Sequence, residues 1–325
     1  MVNYFILTGM IVQGLSYDQI LDRVRDTGED RRRSALIERK DIRNIALKLG
    51  LGTNYRLAKD DSVSVRLKIK EMEKNNELLL FKDQGEDLDL VLKDEFVLCF
   101  STPEQRTVLM SQLKRDDRLF ICMDSTHGIS QYDGYQLTTL MIVTELNKGY
   151  PVAFMLSSTV NENIVVKFLE SVKKVTGVIK AKVFMSDDDP IYRGAWQRVM
   201  AQNSSDTLYL LCAWHVDRAI RKNIASKVSG TIEDKAMIYQ MFRVLFEELD
   251  EDEFLNLATK FKDFLEEENL EEFKVYFEKY YLRSGRVELW AKCYRTSNLI
   301  NTNNHLESMH SVEIRLPSGQ KSEEA

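Results

Sequence analysis

The chain has 325 residues, a net charge of −6 and an isoelectric point near 5.5; 44% of its residues are apolar and 30% charged. That is enough to bury one large core or two modest ones. With four Pro and fourteen Gly, the composition excludes a collagen-like or Pro-rich chain. An overall acidic field leaves only local contacts for nucleic-acid binding. Four sparse Cys, at 99, 122, 212 and 293, argue against a disulfide scaffold and for a reducing compartment, nucleus or cytoplasm. The opening MVNYFILTGMIV lacks a basic start and a cleavage site, and no apolar run reaches membrane-spanning length, so a soluble, non-secreted chain without a membrane partner is expected.

The first sixty residues are mildly basic. LSYDQILDRVRDTG places Ile20, Leu21 and Val24 at helical spacing behind Ser16, a capping residue type, with Gly28 as a stop. ALIERKDIRNIALKLGLG repeats Leu36, Ile37, Ile42, Ile45, Ala46 and Leu49 at steps of three and four and ends at Gly50. Two short helices joined by Arg31, Arg32 and Arg33 resemble a helix-turn-helix, which makes those three and Arg43 candidate DNA contacts. The same pattern also describes a packing pair with a solvated basic face. From SVSVRLKIKEM to EFVLCFST, strand-like alternation mixes with apolar runs, and part of it reads as an edge hairpin.

RLFICMD, YQLTTLMIVTEL and YPVAFMLSS then read as a three-stranded meander. NENIVVKFLESVKKVTG reads as a helix with Ile164, Val165, Phe168, Leu169 and Val172 on one face. AKVFMS reads as a strand, IYRGAWQRVMAQN as a helix and TLYLLCAW as a strand. The order βββαβαβ predicts an α/β, RNase H-like mixed sheet. From about 216 to 282 the apolar period is helical throughout, which predicts a large all-α insertion rich in acidic residues. The expected organisation is a mainly helical N-terminal region (1–100), an RNase H-like core (101–215), the all-α insertion (216–298), a C-terminal core helix (299–312) and a disordered tail (313–325).

Asp124 follows the apolar run LFICM, and Asp187, Asp188 and Asp189 follow VFMS. Two strand-end carboxylates with a third from a helix, Glu307, form a donor set for Mg²⁺ or Mn²⁺, which take hard oxygen ligands. Two such ions about 3.5–4 Å apart serve phosphodiester chemistry. Taken singly, each Asp also suits a helix or turn cap, and Glu307 a solvated helix face. All four His residues, 127, 215, 305 and 310, lie in these segments. Cys212 and His215 form C-x-x-H; with Cys293 and His310 a zinc site is conceivable, but the irregular spacings disfavour it. A core role for Cys212 and Trp214, with His215 orienting a catalytic carboxylate, is the favoured alternative.

The blocks DSTHGISQYDGYQLTTLMIVTELNKGYPVAFMLSS, FMSDDDPIYRGAW, LLCAWHVDRAIR, WAKCYR and NTNNHLESMH, in that order, resemble Mutator-like (MULE) transposases. They are most similar to the RNase H-like domain of zinc-finger SWIM-domain proteins, domesticated relatives of such transposases. The resemblance spans about residues 40 to 312. It implies a DDE-type core with Asp124, Asp187 and Glu307 as catalytic metal ligands, His215 in the family's C-x-x-H motif, DNA as partner, a nuclear location and room for a homo-oligomer. Asp189 and Pro190 depart from the family pattern and leave the choice between Asp187 and Asp188 open. No Cys precedes Cys99, and the SWIM motif is absent after His310. The chain thus reads either as a transposase core without flanking DNA-recognition modules, as a silent DNA- or protein-binding module, or as a truncated gene copy.

Overall fold

A computed structural model of the chain describes residues 7, 10, 17–26, 37–48, 60–115, 119–128, 132–144, 148–201 and 207–295. The chain divides into two compact units, Met1–Glu71 and Met72–Ala325. In the first unit, helices α1 (Tyr17–Asp26) and α2 (Arg39–Lys48) bury Ile20, Leu21, Val24 and Ile42 against each other, the positions that the helical spacing marks. Arg39 of α2 pairs with Asp18 of α1 across 3.6 Å, an exposed bridge of small energetic weight.

Helix α3 (Asp61–Lys74) occupies SVSVRLKIKEM, where alternation suggests a strand. Local capping explains the difference: the Asp60 side chain accepts the Val63 N–H at 2.9 Å, and its carbonyl accepts the Ser64 N–H. The alternating Val63, Val65 and Leu67 stay exposed, so their period encodes no buried sheet face.

In the second unit, β1 (Leu78–Lys82), β2 (Val97–Phe100), β3 (Leu119–His127), β4 (Gln136–Val143), β5 (Gly149–Ser157), β6 (Ala181–Ser186) and β7 (Leu208–Leu211) form one mixed sheet. Its order is β1-β2-β5-β4-β3-β6-β7. The sheet takes in β1 and β2 and therefore begins ahead of residue 100, in the region read from sequence as mainly helical. Strands β1 to β5 pair antiparallel along the order as far as β3; β3–β6 and β6–β7 are parallel. Between β2 and β3 lies α4 (Pro103–Arg115), a helix that the periodicity reading passes over. Its signal is a reciprocal cap: Thr102 and Gln105 exchange side chain-to-backbone hydrogen bonds at 2.8 and 3.2 Å, with Pro103 at the first helical position.

The parallel steps require crossovers, supplied by α5 (Glu162–Thr176) and α6 (Pro190–Val199). The Asn161 side chain caps α5, and Gly177, at φ 77°, closes it in a backbone conformation that disfavours a side chain. Ile164, Val165, Phe168, Leu169 and Val172 of α5 and Trp196 of α6 are buried in a core with Leu119, Ile121 and Met123 of β3. On the opposite sheet face, Cys122, Met141, Val183, Met185, Leu210 and Cys212 make a second buried layer.

Beyond β7 the described chain is helical: α7 (Ala213–Lys227), α8 (Ile232–Glu247), α9 (Glu251–Glu267), α10 (Glu271–Phe277) and α11 (Val287–Trp290). A π-helical stretch, Glu278–Leu282, extends α10. A capping box of Thr231 and Asp234 opens α8, and Asp250 caps α9. These helices converge on Trp290, which stacks with Phe242 and Phe246 and donates its indole N–H to the Tyr281 carbonyl at 2.9 Å. The acidic run lies on the exposed side of this block, where most of its carboxylates are solvated.

One buried charge holds the β1–β2 connection. The Lys82 side chain is 1% exposed, and its ammonium donates to the carbonyls of Asp83, Lys93 and Glu95 at 3.2, 3.1 and 2.5 Å. The Glu95 carboxylate in turn accepts from Thr159 and from Asn161, the cap of α5. The connection is thereby fastened to the start of a core helix. Lys82→Met keeps the apolar stem but removes the shared donor of these three carbonyls, of which that of Glu95 is buried. We expect a loss on the order of 2–3 kcal/mol, read as a lower urea midpoint; an unchanged midpoint would show the clasp to be energetically idle.

Candidate functional site

Parallel pairing of β3 with β6 matches Cys122 with Met185. Two residues further along the chain are Asp124, still within β3, and Asp187, one residue past the end of β6. Because successive strand residues alternate between faces, Cys122 and Asp124 share one face of β3. Asp124 therefore extends from the side of the Cys122–Met185 layer, and Asp187 leaves the end of the neighbouring strand, with adjacent strands about 4.8 Å apart.

Asp124 lies within β3, which runs on to His127, rather than just past the strand end as the apolar run LFICM suggests. The cause is continued pairing with β4: Asp124 opposes Thr139, and His127 opposes Gln136. The position is rigid, and the side chain is buried. Its Oδ1 accepts the Ser125 N–H at 2.8 Å.

The three consecutive aspartates have separate tasks. Asp189 caps α6, accepting the Ile191 N–H at 3.1 Å, with Pro190 at the first helical position. Asp188 pairs with Arg286 of the helical block at 2.5 Å. Asp187 is half-buried, follows directly on the end of β6 and accepts the Asp189 N–H at 3.2 Å. With Asp188 committed to Arg286 and Asp189 to the α6 cap, Asp187 is the favoured partner of Asp124. Burial, reinforced by the charges of Asp189 and Asp188, pushes the Asp187 carboxyl up to about 6 against the restraint of the Asp189 N–H bond.

Behind the pair, on the α6 side of the sheet, the Tyr192 hydroxyl donates to Ser125 Oγ at 2.7 Å, and Ser125 Oγ bonds Thr138 Oγ1 at 2.6 Å. Burial raises the Tyr192 hydroxyl above its ordinary range, as do the charges of Asp187, Asp124 and Asp189, so it remains a donor near neutrality. This relay is missing from the sequence reading. Its signal was Tyr192, on the first turn after D-D-D-P, where α6 starts directly behind the acids.

His215 sits on the first turn of α7, half-buried, with its ring edge-on to Trp214 at 4.8 Å; Trp214 itself is exposed under Arg218 rather than in the core, because it falls on the outer side of α7. It lines a cavity of about 210 Å³ together with Asp188, and Asp187 and Asp188 line a neighbouring cavity of about 240 Å³. Cys212 is fully buried at the start of α7, and its N–H donates to the Ser186 carbonyl at 2.8 Å. Cys293 lies instead with the helical block, near Glu251 and Glu248. Arg295, buried beside Cys212, donates to the Leu211 carbonyl at 2.7 Å; burial lowers its guanidinium to about 10.

Arg43 is exposed on α2, in the Met1–Glu71 unit. Glu307, His305, His310, Arg31, Arg32 and Arg33, with the expected helix at 299–312 and the tail at 313–325, lie outside the described residues. Among the described residues no three or more His, Cys, Asp or Glu side chains gather into a metal-holding group. No described helix is long and apolar enough to cross a membrane. Two carboxylates carried by adjacent strands at one end of the sheet can nonetheless supply the protein's share of a Mg²⁺ shell, since that ion is commonly held by one or two carboxylates and completed by water or phosphate oxygens.

No protein-family model matches the chain, and no curated protein matches it.

The Asp187 shift has a sign. Its folded carboxyl titrates above the unfolded value of 3.8, so between pH 4 and 6 the folded state binds more protons, and stability falls as pH rises through that window. In metal-free buffer, Asp187→Asn should therefore stabilise the protein at pH 7 by on the order of 2 kcal/mol. The gap from the wild-type protein should close at pH 4. Urea unfolding at the two pH values measures this; an equal gap at both would refute a destabilising ionised Asp187.

Proposed function

We propose that the chain is a transposase-derived, RNase H-like domain of DDE type that carries out metal-dependent cleavage or strand transfer at DNA phosphodiesters, in the nucleus. One observation carries this reading: the parallel pairing of β3 and β6 brings Asp124 and the β6 terminus that leads into Asp187 to the same end of the sheet on adjacent strands. The element sequence from β3 to β7, βββαβαβ with parallel steps at β6 and β7, supports an RNase H-like assignment, and the block resemblance to MULE transposases supports the ancestry. Fold likeness argues descent more strongly than activity.

The residues fit a hard divalent cation. Asp187 is half-buried beside the negative Asp188 and Asp189, an arrangement that a dication relieves, and both donors are carboxylate oxygens. Asp124 and Asp187 would hold Mg²⁺ or Mn²⁺, with Glu307 proposed as the third ligand. Two such ions, when bound, activate an attacking oxygen and stabilise a leaving oxygen.

The protein's own contribution is placement. Pairing with Thr139 of β4 fixes Asp124, and the start of α6, capped by Asp189, fixes the turn that carries Asp187. The Tyr192–Ser125–Thr138 relay ties α6 to β3 and β4 immediately behind the acids. His215 acts as a positioning residue from the α7 turn beside Asp188.

Calorimetric titration of the full chain with Mg²⁺ or Mn²⁺ tests the reading. Asp124→Asn and Asp187→Asn should each weaken binding by at least about tenfold while the thermal melt stays cooperative. Equal weak binding by all three proteins would discard the acid pair. Cation binding that needs both aspartates but brings no cleavage of DNA would identify a silent module on an inherited core.

A further inference from the structure

Asp187, Asp188 and Asp189 line one cavity of about 240 Å³, and the cationic side chains around it are not equivalent. Arg193, in the same lining, stands 4.4 Å over the Tyr209 ring. Lys279 lies 5.1 Å over the ring of Tyr280, another lining residue. His215 shares the neighbouring cavity with Asp188. Arg286 is the cation that pairs with an acid of the turn, its Nη2 being 2.5 Å from Asp188 Oδ2.

That guanidinium is delivered by the helical block. Its Nε–H donates to the Tyr280 carbonyl at 2.9 Å, and the Arg286 backbone N–H donates to the Arg283 carbonyl at 2.9 Å. Tyr280 belongs to the π-helical stretch, whose next residue, Tyr281, is buried and accepts the Trp290 indole N–H. Arg286 is therefore anchored to the core of the block independently of Asp188. The pair itself is accessible: the side chain of Arg286 is 26% exposed and that of Asp188 39%. A partly hydrated ion pair of this kind is weak and exchanges readily.

Asp188 directly follows Asp187, and a carboxylate is what a hard dication seeks. The Arg286 guanidinium seeks the same group, and two cations brought to one carboxylate repel each other. Occupation of Asp188 by Arg286 thus works against a dication at this turn.

We propose that Arg286 is a positioning residue that competes with the divalent cation for the acidic turn: by holding Asp188 it leaves Asp187 to serve with Asp124, and it sets how tightly the cation binds. The inference deepens the metal reading and rests on it. Competition is reciprocal, so a bound cation loosens the tie between the helical block and the acidic turn.

The test is calorimetric titration of the full chain with Mn²⁺ in about 0.15 M potassium chloride, where charges more than about 8 Å apart are largely screened. Arg286→Gln should tighten binding on the order of tenfold, because it removes a competing charge and frees a carboxylate ligand. Adding Asp188→Asn to Arg286→Gln should return the affinity to the wild-type value. Arg193→Gln removes an equal charge from the same cavity but frees no carboxylate, so it should change the affinity by less than about threefold. A thermal melt verifies that each variant folds. A merely structural Arg286 would lower the melting temperature without tightening cation binding. Unchanged or weaker binding by Arg286→Gln, equal tightening by Arg193→Gln, or tightening that survives in the double variant overturns the competition. If Asp124→Asn abolishes cation binding while Arg286→Gln leaves it unaltered, the competition falls and the acid pair stands. If none of the proteins binds the cation, Arg286→Gln included, the acid pair falls as well.

Discussion

The parallel pairing of β3 with β6 is the constraint from which the functional account follows. Strand periodicity is two, so a slip of one residue between them would turn the side chains of β6 to the wrong face and displace Asp187, at its end, from Asp124. The register is held from both faces. Ile121 and Phe184 are packed in the core that includes Trp196, while Cys122 and Met185 are packed in the opposite layer. Phe184 and Trp196 have ring centroids 4.8 Å apart, so the helix that follows the acidic turn is locked to the strand that precedes it. A one-residue slip would unseat these large side chains together, which makes the placement of the two carboxylates a by-product of core packing.

The helical block meets the sheet at this same end. Leu211, the last residue of β7, belongs to the apolar cluster of the block, and the Arg295 guanidinium closes on its carbonyl. The Asp188–Arg286 pair adds a polar tie next to the acid pair. A partly exposed ion pair contributes little to stability. Its consequence is geometric: it brings Tyr280 and the π-helical stretch beside the acidic turn.

Much of this was legible in the sequence, for identifiable reasons. The α5 face of Ile164, Val165, Phe168, Leu169 and Val172 is buried as its spacing predicts, because an amphipathic crossover helix has one apolar side to cover. Strands β3, β4 and β5 announce themselves by apolar and β-branched runs between turns. Segment 61–74 misleads because its alternating valines and leucine are exposed, so the pattern reports no burial and the Asp60 cap decides. The extension of β3 past Asp124 is hidden because Ser125, Thr126 and His127 are polar, although β4 supplies their pairing. Asp187, Asp188 and Asp189 are indistinguishable as letters; a place at the end of β6, an ion pair across nearly a hundred residues and a helix cap tell them apart. Arg286 and Tyr280 carry no local motif, and only tertiary packing brings them to the acidic turn.

The central claim is that one cation is shared by residues 63 positions apart in sequence, Asp124 and Asp187. Crystals of the full chain soaked in Mn²⁺ and recorded at the manganese absorption edge test it most directly. The account predicts an anomalous peak within bonding distance of a carboxylate oxygen from each aspartate. A peak seated on other side chains, with Asp124 and Asp187 facing away from each other, would contradict it.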